Sequence, residues 1–397
     1  MLMRSMSFRC SFVLVAALTM LVGCASPEPA EPPVLLPPAA EASVPALQEV
    51  FGDAFLVGTA LNSAQLADAD PRGNPIVEHH FNAVTPENVM KWEVIHPEPG
   101  VYDFEEADAF VDYAEEHDLF VIGHTLVWHS QTPDWVFQDE NGDPLTREAL
   151  LARMKDHIDT VAGRYRGRVD GWDVVNEALN DEGGLRDSPW RQIIGDDYLE
   201  HAFRYAHEAD PDAELYYNDY SLENAPRRDG AVRLVQGLLD AGIPVTGIGT
   251  QAHVNMEWPT PAQFDSTITA FAALGQVMVT ELDITVLPGF DGGQSADVNL
   301  RADGTPEMNP YPDGLPEAMQ FQLAARYAEI FEVFYRHRDA ISRVTFWGVT
   351  DGDSWRNGWP IEGRTNYPLL FDREGATKPA FHAVVGLVDA AGTSSDA

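Results

Sequence analysis

The 397-residue sequence predicts an α/β chain folded as a (β/α)8 TIM barrel with a single catalytic domain. Three observations lead there. Short, almost continuously apolar runs recur eight times, helix-period stretches separate them, and chemistry-bearing side chains stand where the runs end. The expected strands are Phe55–Thr59, Phe81–Thr85, Phe120–His124, Gly171–Val175, Glu214–Asn218, Gly247–Gln251, Val277–Glu281 and Val344–Trp347. Val, Ile, Phe, Tyr and Leu dominate them, as expected of parallel strands covered on both faces. Between them, Glu105–His117 places Ala109, Phe110, Tyr113 and Ala114 on one helical face. Thr146–Arg164 opens on a capping-type residue and carries Leu150, Leu151, Met154, Ile158 and Val161. Further helices are expected over Tyr198–Glu208, Arg228–Ala241, Pro261–Ala273 and Pro316–Arg338. An open doubly wound sheet is the alternative, but no glycine-rich dinucleotide turn follows the first strand.

The N-terminal segment reads as a targeting signal. Arg4 and Arg9 precede an apolar run, Ser11 to Val22, too short to remain as a spanning helix. It ends in Leu21-Val22-Gly23-Cys24, which resembles the bacterial lipobox whose cysteine is acylated; an ordinary cleaved signal is the plainer reading. Cys10 and Cys24 are the only cysteines, so a domain without Cys10 and Cys24 has no disulfide available. Residues 1–23 are thus expected to be a signal peptide and 24–46, rich in Pro, Ala and Glu, an extended tether. The catalytic domain is expected over 47–390, with 391–397 a disordered tail. This predicts an exported protein, lipid-anchored through Cys24 to a bacterial outer membrane or cell surface.

The formal net charge is −38, from 63 acidic and 25 basic side chains. Nucleic acid is disfavoured as a partner, because a phosphate backbone needs a basic patch. The plain reading is a highly soluble surface; the sharper one is adaptation to salty water, where screening relieves self-repulsion.

The strand ends carry the chemistry. The second is followed by Glu87, Asn88 and Lys91; the third runs through His124 to Trp128 and Gln131; the fourth closes on Asn176-Glu177. The fifth ends Tyr216-Tyr217-Asn218-Asp219, the sixth Gln251-Ala252-His253, the seventh Glu281-Leu282-Asp283, and the eighth leads to Trp347 and Trp355. Acids, amides and indoles together suit a sugar chain, whose hydroxyls take bidentate polar groups and whose C–H faces stack on rings. Glu177 and Glu281, from the fourth and seventh strands, can flank one glycosidic bond as acid/base and nucleophile. Asn176 is an amide placed to bond a sugar 2-hydroxyl, and a His253–Asp283 relay can keep Glu281 ionised. Glu177 must stay protonated, so its pKa is expected to be raised by burial, Trp128 and the Glu281 charge. Singly, an Asn-Glu pair is a helix cap, a Trp is core, and His124 or His253 is structural. Their joint placement on successive strand ends removes those readings. A zinc site among His79, His80, His124, His129 and His253 lacks ligand spacing, so no metal is expected. His79 and His80, being adjacent, are expected to point to opposite faces.

These motifs resemble glycoside hydrolase family 10 endo-β-1,4-xylanases, over nearly all of residues 47–388. The resemblance implies Glu177 as acid/base and Glu281 as nucleophile, and places Glu87, Asn88 and Lys91 at the distal glycone site. It places His124, Trp128, Asn176, Gln251, His253, Trp347 and Trp355 around the sugar at the cleavage point, with Gln131 near them. It implies a xylan or xylo-oligosaccharide partner; no cofactor is expected, and the protein is expected to be a monomer. Two departures stand out. The turn Leu274-Gly275-Gln276-Val277 is one residue shorter than usual, and a loop of some thirty residues, 287–316, follows the seventh strand. That loop lies beside the nucleophile and can shape the subsites; Asp291 and Asp297 could take calcium, against the plainer reading of a solvated acidic loop. Two other functions compete: a surface glycan-binding lipoprotein with a non-catalytic barrel, and a hydrolase of β-glucan or short oligosaccharides.

Overall fold

The computed structural model describes residues 44–67, 69–289 and 298–394. The signal, most of the tether, Cys24, Asp291 and Asp297 lie outside these. The strands are β1 (Leu56–Leu61), β2 (Ala83–Pro86), β3 (Phe120–Val127), β4 (Gly171–Asn176), β5 (Glu214–Asp219), β6 (Gly247–Thr250), β7 (His253–Asn255), β8 (Gln276–Thr285) and β9 (Ile341–Phe346). Neighbours pair in parallel from β1 to β6; β6 then pairs with β8, β8 with β9, and β9 with β1, which closes an eight-stranded barrel. β7 is a short extra strand on the far end of β8, pairing His253 with Asp283. β8 is ten residues long because it serves both partners.

A helix follows each barrel strand: Gly73–His80, Glu105–Glu116, Arg147–Arg164, Tyr198–Ala209, Ala225–Asp240, Pro261–Ala272, Glu317–Arg336 and Pro379–Ser394. The six helices expected from periodicity are present within a few residues. Thr146 caps its helix by accepting the Ala149 N–H, and Thr260 forms a reciprocal capping box with Gln263. The fifth helix begins at Ala225 rather than Arg228, because Pro226 in the first turn forfeits no intrahelical bond there. Gly73–His80 escaped periodicity, since it opens on Gly-Asn-Pro and is only eight residues long. The last helix runs to Ser394, beyond the domain end expected at 390. His79 and His80 sit on a helix rather than a strand, with rings 4.5 Å apart; His80 packs inward while His79 is exposed.

The main core lies between the strands and the helical ring, with Phe110, Ile158, Phe203, Phe264, Phe331 and Phe334 wholly buried. Each such side chain contributes about 1.5–3 kcal/mol relative to exposure. The barrel interior holds a smaller cluster, Ile122, Tyr216 and Met278. Arg343 is buried with its guanidinium 5.4 Å from the Tyr216 ring centroid. Gly123 is required in β3, because a Cβ there would meet the buried Trp172 ring at 2.1 Å. With the interior filled, the barrel is a packed core and not a pore, and the chemistry-bearing strand ends face the C-terminal rim.

Candidate active site

The rim forms a cleft of about 550 Å³. Its lining brings together Glu87, Asn88, Lys91, His124, Trp128, Gln131, Asn176, Glu177, Gln251, His253, Glu281, Trp347 and Trp355. Asp283 lies behind this surface, fully buried. Among the described residues, no three His, Cys, Asp or Glu side chains are grouped to hold a metal.

Glu177 follows the last residue of β4 in a left-handed turn (φ 58°), where its backbone N–H donates to the Asn218 carbonyl at 2.9 Å. This conformation turns the side chain off the strand line. Its carboxylate accepts from Gln251 Nε2 at 3.0 Å and from Asn176 Nδ2 at 3.3 Å. Burial and then the Asp219 charge push its pKa up to about 7; Gln251 and the Trp128 indole oppose the rise, and Glu281 adds to it less. The expected causes, burial and the Glu281 charge, both act to raise it, but the Asp219 charge outweighs that of Glu281.

Glu281 has the opposite setting. Asn218 Nδ2 donates to Oε1 at 2.8 Å, and His253 Nε2 lies 3.1 Å from Oε2. Burial alone would raise this carboxyl, but the His253 bond, the charges of His124 and His253, and the Asn218 bond hold it below the ordinary value. His253 in turn has Nδ1 3.1 Å from Asp283, and its pKa is raised to about 9, the two carboxylates outweighing its burial. Asp283 accepts from Trp355 Nε1 at 2.8 Å and Arg356 Nε at 2.7 Å; burial alone would raise its pKa, but the charges and bonds of Arg356 and His253 hold it below the ordinary value. The β7–β8 pairing makes this relay by setting His253 beside Asp283.

Asn218, to which strand-end position alone assigns no role, joins the two halves. Its amide donates to Glu281 and, at 3.0 Å, to Asn176 Oδ1, while its own Oδ1 accepts from Thr280 Oγ1 at 2.7 Å. Glu177, Asn176, Asn218 and Glu281 therefore form one hydrogen-bonded chain across three strand ends. Asp219, next along β5, is held by Arg227, Tyr217 and two backbone N–H groups. On the β2 side, Lys91 Nζ donates to Asn88 at 3.0 Å and Gln131 at 2.9 Å and stands over the Trp128 ring. His124 pairs with Asp173 at 2.9 Å. The far wall adds Trp359, 4.4 Å from Trp355, and Asn357, both beyond the point where strand-end reasoning stops.

Two carboxyl groups with pKa values driven apart, one neutral and one ionised, face a cleft lined by amides and indoles; that is a site for acid-assisted displacement at a glycosidic bond. The sequence model described as glycosyl hydrolase family 10 matches residues 46–387. The chain belongs to that family. Among its family 10 relatives, endo-1,4-beta-xylanase A of Xylanibacter ruminicola is 46% identical over 358 residues, covering 90% of this chain and 97% of that protein. Endo-1,4-beta-xylanase of Geobacillus stearothermophilus is 44% identical, covering 87% and 99%. The solved structure of a family 10 endoxylanase from a sugarcane soil metagenome superposes with TM-score 0.84 at 44% identity, covering 86% of this chain and 100% of that one.

Proposed function

We propose that this family 10 barrel is a retaining endo-1,4-β-xylanase that hydrolyses internal xylosidic bonds by double displacement. The observation that carries the mechanism is a pair of buried glutamates joined through Asn176 and Asn218, with Asp219 and burial raising the pKa of Glu177 while His253 and Asn218 bond Glu281 and lower its own. Glu281, ionised, attacks the anomeric carbon as the glycosidic C–O bond breaks, and Glu177 gives its proton to the departing oxygen. Forming the ester removes the Glu281 charge, so Glu177 ionises more readily and can take a proton from water. That water attacks the anomeric carbon, expels the Glu281 carboxylate and restores both groups. His253 and Asn218 stabilise the carboxylate before attack and as it leaves. Trp347, Trp355 and Trp128 offer stacking faces, and Glu87, Asn88 and Lys91 offer hydrogen bonds farther along.

Xylan as substrate is supported by the names of the relatives. Product analysis on xylan, β-glucan and xylo-oligosaccharides tests it, and β-glucan as the faster substrate would overturn the reading. Glu281→Ala retaining full activity would overturn the mechanism, and a parent that binds xylan without cleaving any glycosidic bond would leave a glycan-binding barrel as the alternative.

The same proposal extends to location. The basic start, the apolar run and Leu21-Val22-Gly23-Cys24 support acylation of Cys24, with 24–46 as a tether holding a monomeric enzyme off a bacterial membrane surface. Incorporation of a labelled fatty acid, lost in Cys24→Ala together with membrane fractionation, tests the anchor. Gel filtration tests the monomer.

A further inference from the structure

The loop after β8 returns to the cleft from an unexpected direction. In the closed ring, β3 and β8 are four steps apart through β2, β1 and β9, and four through β4, β5 and β6. Loops of strands that far apart meet only by crossing the barrel mouth. They do meet: Asn299 Nδ2, from the loop after β8, donates to Ser130 Oγ, from the loop after β3, at 2.7 Å. Val298, Asn299 and Arg301 line the cleft together with Trp359 and Asn357 of the β9 loop and Glu87 and Asn88 of the β2 loop. Residues 298–301 therefore bound the half of the mouth above β9, β1 and β2. Among the described residues, none of the β5 loop lines the cleft.

The position of this segment is fixed from both sides. Ala302 N–H donates to the Pro360 carbonyl at 3.0 Å, and Asn309 exchanges side-chain bonds with Gly363 and Thr365 of the same β9 loop. Arg301 donates to the Val298 and Leu300 carbonyls, holding the turn together. At the opposite side, Ser130 is buried next to Gln131, which accepts from Lys91.

We propose that residues 298–301 form a strap that sets how many sugar units are held on the β9–β1–β2 side of the cleft, with Asn299 and Ser130 as its specificity-determining positions. Units beneath the strap are gripped, and a longer chain must leave over it without further contacts. An oligosaccharide then binds mainly in the one register that fills the covered half, and one bond is cut in preference to its neighbours. The inference rests on the proposed xylanase activity.

The test uses the full-length protein and xylohexaose labelled at its reducing end, with the frequency of cleavage at each bond read by mass spectrometry. Ser130→Ala, Asn299→Ala and a replacement of 298–301 by Gly-Ser-Gly-Ser are compared with the parent, each normalised to its rate on an aryl β-xylobioside. The parent is expected to cut predominantly at one bond. The variants should lower that bond's excess over its neighbours by about fivefold, the factor for one lost hydrogen bond. Circular dichroism identifies any variant that fails to fold, and the three changes are independent routes to the same loss. Evenly spread cleavage by the parent, or an identical pattern in all folded variants, would overturn the strap. No cleavage of any xylosidic substrate by the parent would instead overturn the xylanase reading.

Discussion

Replacing Glu177 by Gln should stabilise the fold at neutral and alkaline pH while abolishing acid catalysis. Burial and the Asp219 charge raise this carboxyl from an ordinary 4.5 to about 7. A carboxyl whose folded pKa lies above its unfolded value holds its proton more tightly in the folded state. Between about 4.5 and about 7 the folded protein thus binds more protons than the unfolded chain, and stability falls as pH rises through that window. A displacement of that size, at 1.36 kcal/mol per pKa unit, corresponds to a loss of roughly 3 kcal/mol, complete above pH 7 and not yet begun below 4.5. The glutamine side chain of Glu177→Gln keeps the shape and can still accept the Gln251 bond, but carries no charge to desolvate. Urea unfolding of the parent and Glu177→Gln, followed from pH 4 to pH 8, reads the difference. The two proteins should nearly coincide at acid pH and separate by about 3 kcal/mol at the alkaline end. Parallel curves would mean that Glu177 is not held protonated by the fold, and the acid assignment would lose its physical basis.

The same pKa values shape activity: kcat/KM should fall tenfold per pH unit above about 7 as Glu177 ionises, while the acid limb lies below 4.5, where Glu281 is held. Azide should partly restore Glu177→Ala on substrates with good leaving groups, giving a β-azide product; the absence of that product would count against the acid/base role. Asp283→Asn should lower the His253 pKa from about 9, move the acid limb upward and cut kcat by about 10- to 100-fold, the range for one charge-assisted hydrogen bond; an unmoved acid limb would dismiss the relay. Asn218→Ala should fall in the same range, since it removes the Glu281 bond and the shorter of the two bonds to the Asn176 amide oxygen, leaving that from Gln251. Added NaCl should raise the melting temperature, because self-repulsion at net charge −38 is screened; a melting temperature flat to 1 M salt would refute that.

Much of the fold and many of the lining side chains could be read from the chain. Apolar runs of strand length are local, so all eight barrel strands were legible, and a residue just past each run falls on the rim by topology. Helices with a clear 3.6-residue period were legible too, whereas Gly73–His80 was not, because its length and its Gly-Asn-Pro start leave too little pattern. Asn218 and Asp219 stood at a strand end in plain view, but their importance depends on which side chains lie across the ring from them. The segment 298–301 was visible only as part of a long loop; nothing local tells it to reach Ser130.

The sequence by itself determined the barrel and set Glu177 and Glu281 at its strand ends, because periodicity and strand-end position are written residue by residue; the family followed from the resemblance of the rim motifs. The tertiary structure decided which charges act on each glutamate, adding Asp219 to the groups expected around Glu177 and fixing the geometry of the expected His253–Asp283 relay. The shifts come from burial and from charges brought together by strands far apart in the chain: Asp219 near Glu177, and His253 set against Glu281 and Asp283 by the β7–β8 pairing.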